Sequence, residues 1–397
     1  MINVKFKYKL ADDTIDKSEI INLSKWLIKG HKLTQGKNTQ IFQNNFSKYL
    51  GIRQSIFVNS GSSANLLIAQ SLLESKMLKN KIVIAPTLSW STTVTPFLQL
   101  GYDVKLCDTN LEDLGLNIQH LENLCKQYRP SVIILVHVLG HANNLKEILR
   151  ICKKYNIFLI EDTCEALGST INKKKLGTFG IASSFSFYYG HHISTIEGGM
   201  VCTNNKDLAN IMKSVKSHGW LREYTKKDQK IIFKKNNISE FQSKFSFFYS
   251  GFNIRSTDLN AYLGISQLKK IDRISKVREI NYNIYKKNLK NFHFLNCNTT
   301  RLSNFGFATL VDNREQVYAH LLKKKIECRP IIAGDISNQP FWLKDNKKQK
   351  FPFANLIDKN GIYLPNHANL SKKDVNYICN EFSKIAKVIK IQSINSQ

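Results

Sequence analysis

Between residues 55 and 163 apolar residues come in unbroken blocks and not in single alternation with polar ones. The runs SIFVNS (55–60), KIVIAP (81–86), DVKLCDT (103–109), SVIILVHVLG (131–140) and IFLIEDT (157–163) predict strands. Stretches with apolar residues at helical spacing lie among them, at 64–75, 117–128 and 143–156, and another precedes them at 39–50. Strands without period-two alternation are buried on both faces, so the pattern predicts an α/β fold with a largely parallel central sheet. In such sheets ligands gather at the carboxyl ends of the strands. The polar clusters NSGSSAN (59–65), PTLSW (86–90), EDTCEALG (161–168) and YYGHH (188–192) fall there.

Past residue 256 the pattern changes. Residues 257–289 predict one long helix, followed by short strands in FGFATLV (305–311), IECRPII (326–332) and GIYLP (361–365). A last helix should open at the capping-box match SKKD (371–374). Two domains are therefore expected, a large α/β unit over 1–255 and a smaller α+β unit over 256–397. The lysine-rich segment 225–240 reads as an exposed insertion.

At 397 residues and 42% hydrophobic content the chain can fill two cores. No run reaches the roughly 20 apolar residues of a membrane span, and the opening segment lacks the apolar stretch of a secretory signal. A cytoplasmic protein without membrane contact is expected. The formal charge of +28 invites a nucleic-acid reading, but the lysines are spread along ordinary amphipathic segments. A field that attracts anionic small molecules is the expected consequence. The eight cysteines form no CxxC pair, so reduced core thiols and no metal site are expected.

Taken singly, the polar clusters have ordinary explanations. SGSSAN can be a plain turn, Asp162 a strand-end cap and Trp90 a core residue. A strand-to-helix turn at Gly61 and Ser62 also offers backbone N–H groups and a hydroxyl to a phosphate. Together with Trp90, Asp162, and Ser186 five residues before His191, it resembles the sugar-aminotransferase branch (DegT/DnrJ/EryC1/StrS) of the fold-type I pyridoxal-phosphate enzymes, which have an aspartate aminotransferase-like fold. The segments GFNIRSTDLNAYLG (251–264), RP (329–330) and LPNH (364–367) extend the resemblance over nearly the whole chain.

That resemblance implies roles. Asp162 would keep the pyridine nitrogen protonated, so that the ring acts as an electron sink. Trp90 would stack on the ring, Glu165 would bond its hydroxyl, and Ser186 would complete the phosphate site with Asn253 from a second subunit of a homodimer. His218 and Arg222 in SHGWLRE (217–223), with Arg329, would contact the sugar or its pyrophosphate.

One position departs from the family. The lysine that holds the cofactor aldehyde is replaced by His191. Imidazole forms no stable imine but moves protons near neutral pH. The runs HHISTIEGG (191–199), SHGWLRE, GFNIRS and ECRP (327–330) resemble a subgroup of sugar-nucleotide 3-dehydratases. This implies pyridoxamine phosphate as the working cofactor and a nucleotide-linked 4-keto-6-deoxy sugar, with GDP and mannose configuration, as substrate. His191 would remove the proton whose loss expels the 3-hydroxyl, and glutamate would restore the amine. The product would serve dideoxysugar synthesis for surface polysaccharide.

His192 is expected to support the site, and His137 to be a hydrogen-bonded core residue. A related branch carries an iron–sulfur cluster, but between His191 and Lys270 this chain has only Cys202, so no cluster is expected. Two other readings stay open: a sugar aminotransferase that tolerates histidine, and a silent cofactor-binding scaffold. The lysines nearest to replacing the missing one, Lys173 to Lys175 and Lys206, lie outside the strand-to-turn segment.

Overall fold

The computed structural model describes residues 5–292 and 295–389. The apolar blocks become the strands β1 (Gln54–Val58), β2 (Ile82–Pro86), β3 (Asp103–Cys107), β4 (Val132–Val136) and β5 (Phe158–Asp162). Two more, β6 (Ala182–Ser186) and β7 (Gly199–Thr203), flank the histidine turn. They form one sheet in the order β1-β7-β6-β5-β4-β2-β3. Only β7 runs against its neighbours, and the other pairings are parallel.

Helices cover both faces, which is why β4, β6 and β7 are buried at every position. On one face Val83, Ala85, Ile134 and Ile160 pack with Leu67, Phe97 and Met212. On the other, Ile84, Ile133 and Leu159 pack with Leu121 and Ile148. Among the described residues no helix is long and apolar enough to cross a membrane.

Three sequence expectations change. The single helix over 257–289 is two, Asp258–Leu268 and Ile271–Asn288, parted at Lys269 and Lys270. The break lets one stretch serve two cores: Ala261, Leu268 and Ile274 pack with Phe42 and Phe57, whereas Tyr282 and Tyr285 pack with Phe307 and Leu364. IECRPII forms no ladder; it makes only the isolated bridges Tyr8–Ile326 and Arg329–Tyr363. The run 131–140 leaves the sheet after Val136, and Leu139 turns at φ +52°.

The second sheet pairs β8 (Gly306–Leu310) with β9 (Gly361–Pro365), antiparallel. The last helix, Lys372–Ser383, opens with the expected box between Ser371 and Asp374. Within 225–240, the helix Lys226–Lys235 buries no residue.

Strand alternation sends Glu161 to the face opposite Asp162. Its buried carboxylate accepts N–H bonds from Gly177 (2.8 Å), Phe179 (2.6 Å) and Gly180 (2.7 Å), and lies 3.2 Å from His137 Nε2. His137 is thus a bonded core residue that helps tie the 177–180 loop to the sheet. Glu161→Gln replaces one acceptor oxygen by a donor facing other donors, and should cost on the order of 3 kcal/mol. Chemical denaturation checks this; an unchanged midpoint would mean that the loop is held by other contacts.

Candidate active site

The carboxyl ends of β1, β5 and β6 meet at one edge of the sheet. Ser184 stands opposite Asp162, and Gly199 stands opposite both Val58 and Ser186. After β1 the chain turns at Ser60, whose hydroxyl caps Ser63 N–H at 3.0 Å, into the helix Gly61–Glu74. This turn presses on β6 and β7. A Cβ on Gly61 would lie 2.7 Å from Ser186 Cβ, and one on Gly199 would lie 2.2 Å from the Ser60 carbonyl oxygen. Glycine is required at both places by close approach. The result is a cradle of helix N-terminal N–H groups beside the Ser186 hydroxyl. Ser62 Oγ lies next to it, 2.8 Å from Thr92 Oγ1.

Asp162 is 4% exposed. Its Oδ2 accepts from Asn65 Nδ2 (2.9 Å) and Thr93 Oγ1 (2.8 Å), and its Oδ1 from Cys164 N–H (3.2 Å). Sequence reading named neither Asn65 nor Thr93 individually, though spacing held a signal. Asn65 follows Gly61 by one helical turn, and Thr93 follows Trp90 by three residues. Trp90 itself caps the helix Ser91–Gln99 and is 59% exposed, which rules out the core alternative.

Glu165 and His191 are joined by a chain of contacts through the turn that left β4. Glu165 Oε2 accepts Leu139 N–H at 2.8 Å, and burial raises this carboxyl to about 7. The Leu139 carbonyl in turn accepts from Phe305 N (2.9 Å) and Asn304 Nδ2 (3.1 Å). The Phe305 ring meets the His191 ring edge to face, with centroids 5.3 Å apart. Leu139, Asn304 and Phe305 were missed because only the fold brings these loops together.

The two adjacent histidines differ. His192 is fully buried and donates Nε2–H to the Ser303 carbonyl at 2.8 Å, anchoring the turn. His191 sits in the turn closed by its own N–H to Tyr188 O (2.9 Å), and its buried Nδ1 has no hydrogen-bond partner. Burial, and then the charge of Arg278, lowers its pKa to about 4, so the imidazole is neutral at neutral pH.

Asn253, His218 and Arg222 form a second group. Asn253 is exposed and its Oδ1 accepts Arg255 Nε–H at 3.1 Å; Arg255 also reaches Ser217 Oγ (3.2 Å) and lies 3.5 Å from His218 Nε2. Arg222 lies over the Trp220 ring at 3.6 Å. These contacts run within 217–255 and not to Asp162, Ser186 or His191. Arg329 is 61% exposed and paired with Glu327 at 2.8 Å. Its backbone bridges that of Tyr363 in β9.

Of the lysines named as possible replacements, Lys174 and Lys175 are engaged, as are Lys216 and Lys270 elsewhere in the chain. Lys174 and Lys175 lie over the rings of Phe179 and Tyr49. The fully buried Lys216 pairs with Glu223 at 3.2 Å, and Lys270 with Asp16 and Glu19, both at 2.6 Å.

A mostly parallel seven-stranded sheet with a helix N-terminal cradle and a buried carboxylate at one edge is the architecture of the aminotransferase fold. Residues 14–383 match the DegT/DnrJ/EryC1/StrS aminotransferase family, and the chain belongs to it. It is 31% identical over 386 residues to the GDP-4-keto-6-deoxy-D-mannose 3-dehydratase of Yersinia pseudotuberculosis, covering 92% of this chain and 96% of that one. The solved Escherichia coli GDP-4-keto-6-deoxy-D-mannose-3-dehydratase with bound hydrated PLP superposes with a TM-score of 0.87 at 31% identity, over 95% of this chain and 99% of that one. A solved GDP-4-keto-6-deoxymannose-3-dehydratase with a trapped PLP-glutamate geminal diamine gives 0.86 at 31% identity, over 95% and 100%.

Proposed function

We propose that the protein is a pyridoxamine-phosphate-dependent 3-dehydratase of a 4-keto-6-deoxy sugar nucleotide, with GDP-4-keto-6-deoxy-D-mannose as the favoured substrate. The observation that carries this reading is a neutral imidazole, His191, in the turn where the family's lysine belongs, with Lys174, Lys175 and Lys216 engaged elsewhere. It disfavours an aminotransferase with a hidden lysine. A silent scaffold is disfavoured by the three donors that keep the Asp162 carboxylate oriented at the sheet edge.

The cofactor fits the residues present. The close packing of Gly61 on Ser186 sets the N-terminal N–H groups of the helix Gly61–Glu74 beside the Ser186 hydroxyl, a pairing suited to a phosphate. Gly61, Ser62 and Ser186 would hold that phosphate, with Asn253 reaching it from the second subunit of a homodimer. Asp162 would hold the proton on the ring nitrogen, the exposed Trp90 would cover the ring face, and Glu165, near its midpoint at neutral pH, would share a proton with the ring hydroxyl. When bound, pyridoxamine phosphate supplies an amine for the sugar's 4-keto carbon and a ring that takes up an electron pair.

His191 then does the proton work. Its imidazole would accept a proton at a ring nitrogen and return it to the oxygen of the departing 3-hydroxyl. Arg222, Arg329 and His218 would meet the sugar and its pyrophosphate, and glutamate would renew the amine. The test is to incubate the protein with pyridoxamine phosphate, glutamate and a panel of 4-keto-6-deoxy sugar nucleotides. Mass detection should show loss of oxygen at C3; gain of an amino group at C4 instead would overturn the dehydratase reading in favour of transamination.

A further inference from the structure

The helix Ile271–Asn288 carries a cation into the core beside the histidine turn. Arg278 is 2% exposed. Its NH1 donates to the carbonyls of Phe305 (3.1 Å), Asn304 (3.2 Å) and Asn366. Its Nε is buried without an acceptor, and no carboxylate pairs with it among the described residues. A buried charge without a counter-ion is costly, so its place calls for a reason.

The geometry supplies one. The Arg278 guanidinium lies 5.6 Å from the Phe305 ring centre. That same ring stands 5.3 Å from His191 and 5.7 Å from His192. The Phe305 ring thus contacts the guanidinium and both imidazoles, meeting His191 edge to face, and the loop that carries it is pinned by the guanidinium itself.

The other titratable groups around the turn are Tyr188, with its ring 6.1 Å from that of His191, and Tyr189, His192, His367 and Asp12. Asp12 acts on Tyr189 and His367, whereas the charge that acts on His191 is that of Arg278.

We infer that Arg278 is a positioning residue: its donors hold the Phe305 wall against His191, and its uncompensated charge adds to burial in disfavouring a second positive charge on that imidazole. This rests on the reading of His191 as the base. A base protonated at rest cannot take a proton, and a fixed cation behind a low-dielectric wall disfavours a second positive charge. His192 and His367 respond to the same charge in the same direction.

The experiment is an NMR titration of the imidazole nitrogens in the whole protein, with the His191 signals assigned from His191→Asn, run beside the pH profile of kcat/KM. Arg278→Gln keeps a donor for the carbonyls but no charge, and should raise the His191 midpoint by about one pH unit, with the acid limb of the profile rising by the same amount. Arg278→Lys keeps the charge and should leave the midpoint in place.

A purely structural role would lower activity without moving the midpoint, so an unmoved midpoint in folded Arg278→Gln overturns the inference. If the midpoint moves and the acid limb does not follow, the tuning by Arg278 stands and the assignment of His191 as the base falls. Where the Gln variant does not fold, Arg278→Met, uncharged and of similar length, takes its place with the same readings, and a wild-type midpoint at or above 6.5 overturns the inference in either case.

Discussion

His191→Asn is expected to keep its fold and its affinity for pyridoxamine phosphate while dehydration slows by roughly 10²–10⁴-fold, the contribution of a general base. The fold should survive because the turn is held by His192 on the Ser303 carbonyl and by the His191 backbone, not by the His191 side chain. His191→Lys should behave differently. It places a primary amine where the neutral imidazole stands, and pyridoxal phosphate should become fixed to the chain by borohydride, with a visible absorption band. Dehydration should be suppressed in that variant, because the amine captures the cofactor. Wild-type turnover by the Asn variant, or borohydride-fixable cofactor in the unaltered protein, would return the site to ordinary transamination.

The second large effect is expected at Asp162. In Asp162→Asn the amide can still accept from Asn65 and Thr93, but it then turns an N–H₂ toward Cys164 N–H. The stability loss should stay near 1–2 kcal/mol. The rate should fall on the order of 10²-fold or more, because an amide does not hold the ring-nitrogen proton and the electrostatic support for the electron sink goes with it. Mixing this variant with Asn253→Ala tests the shared site at the same time. In a hybrid dimer one site would be intact, so random exchange should restore about a quarter of wild-type activity. Normal turnover by Asp162→Asn would displace Asp162 from the ring nitrogen. A fully active monomer in sedimentation would remove Asn253 from its partner's site.

The chain's own pattern determined the sheet strands up to β5 and the place of the site at their carboxyl ends, because unbroken apolar blocks between helical stretches leave the chain few ways to bury both faces. The family resemblance, carried by residues at strand ends and the turns beyond them that are local in sequence, singled out Gly61, Asp162, Ser186 and His191. Tertiary structure decided what local spacing does not carry. The helix over 257–289 is two, and the second passes from the first core at Ile274 to another at Tyr282, with Arg278 between them as a buried cation that reads in sequence as one more basic residue among fifty-eight lysines and arginines. Glu161, next to Asp162 in sequence, points to the opposite face and holds a loop. Leu139 and Phe305, 166 residues apart, became the bridge between Glu165 and His191 only when their backbones met. Periodicity records which side of an element is buried; what lies against that side is set by the packing of distant segments.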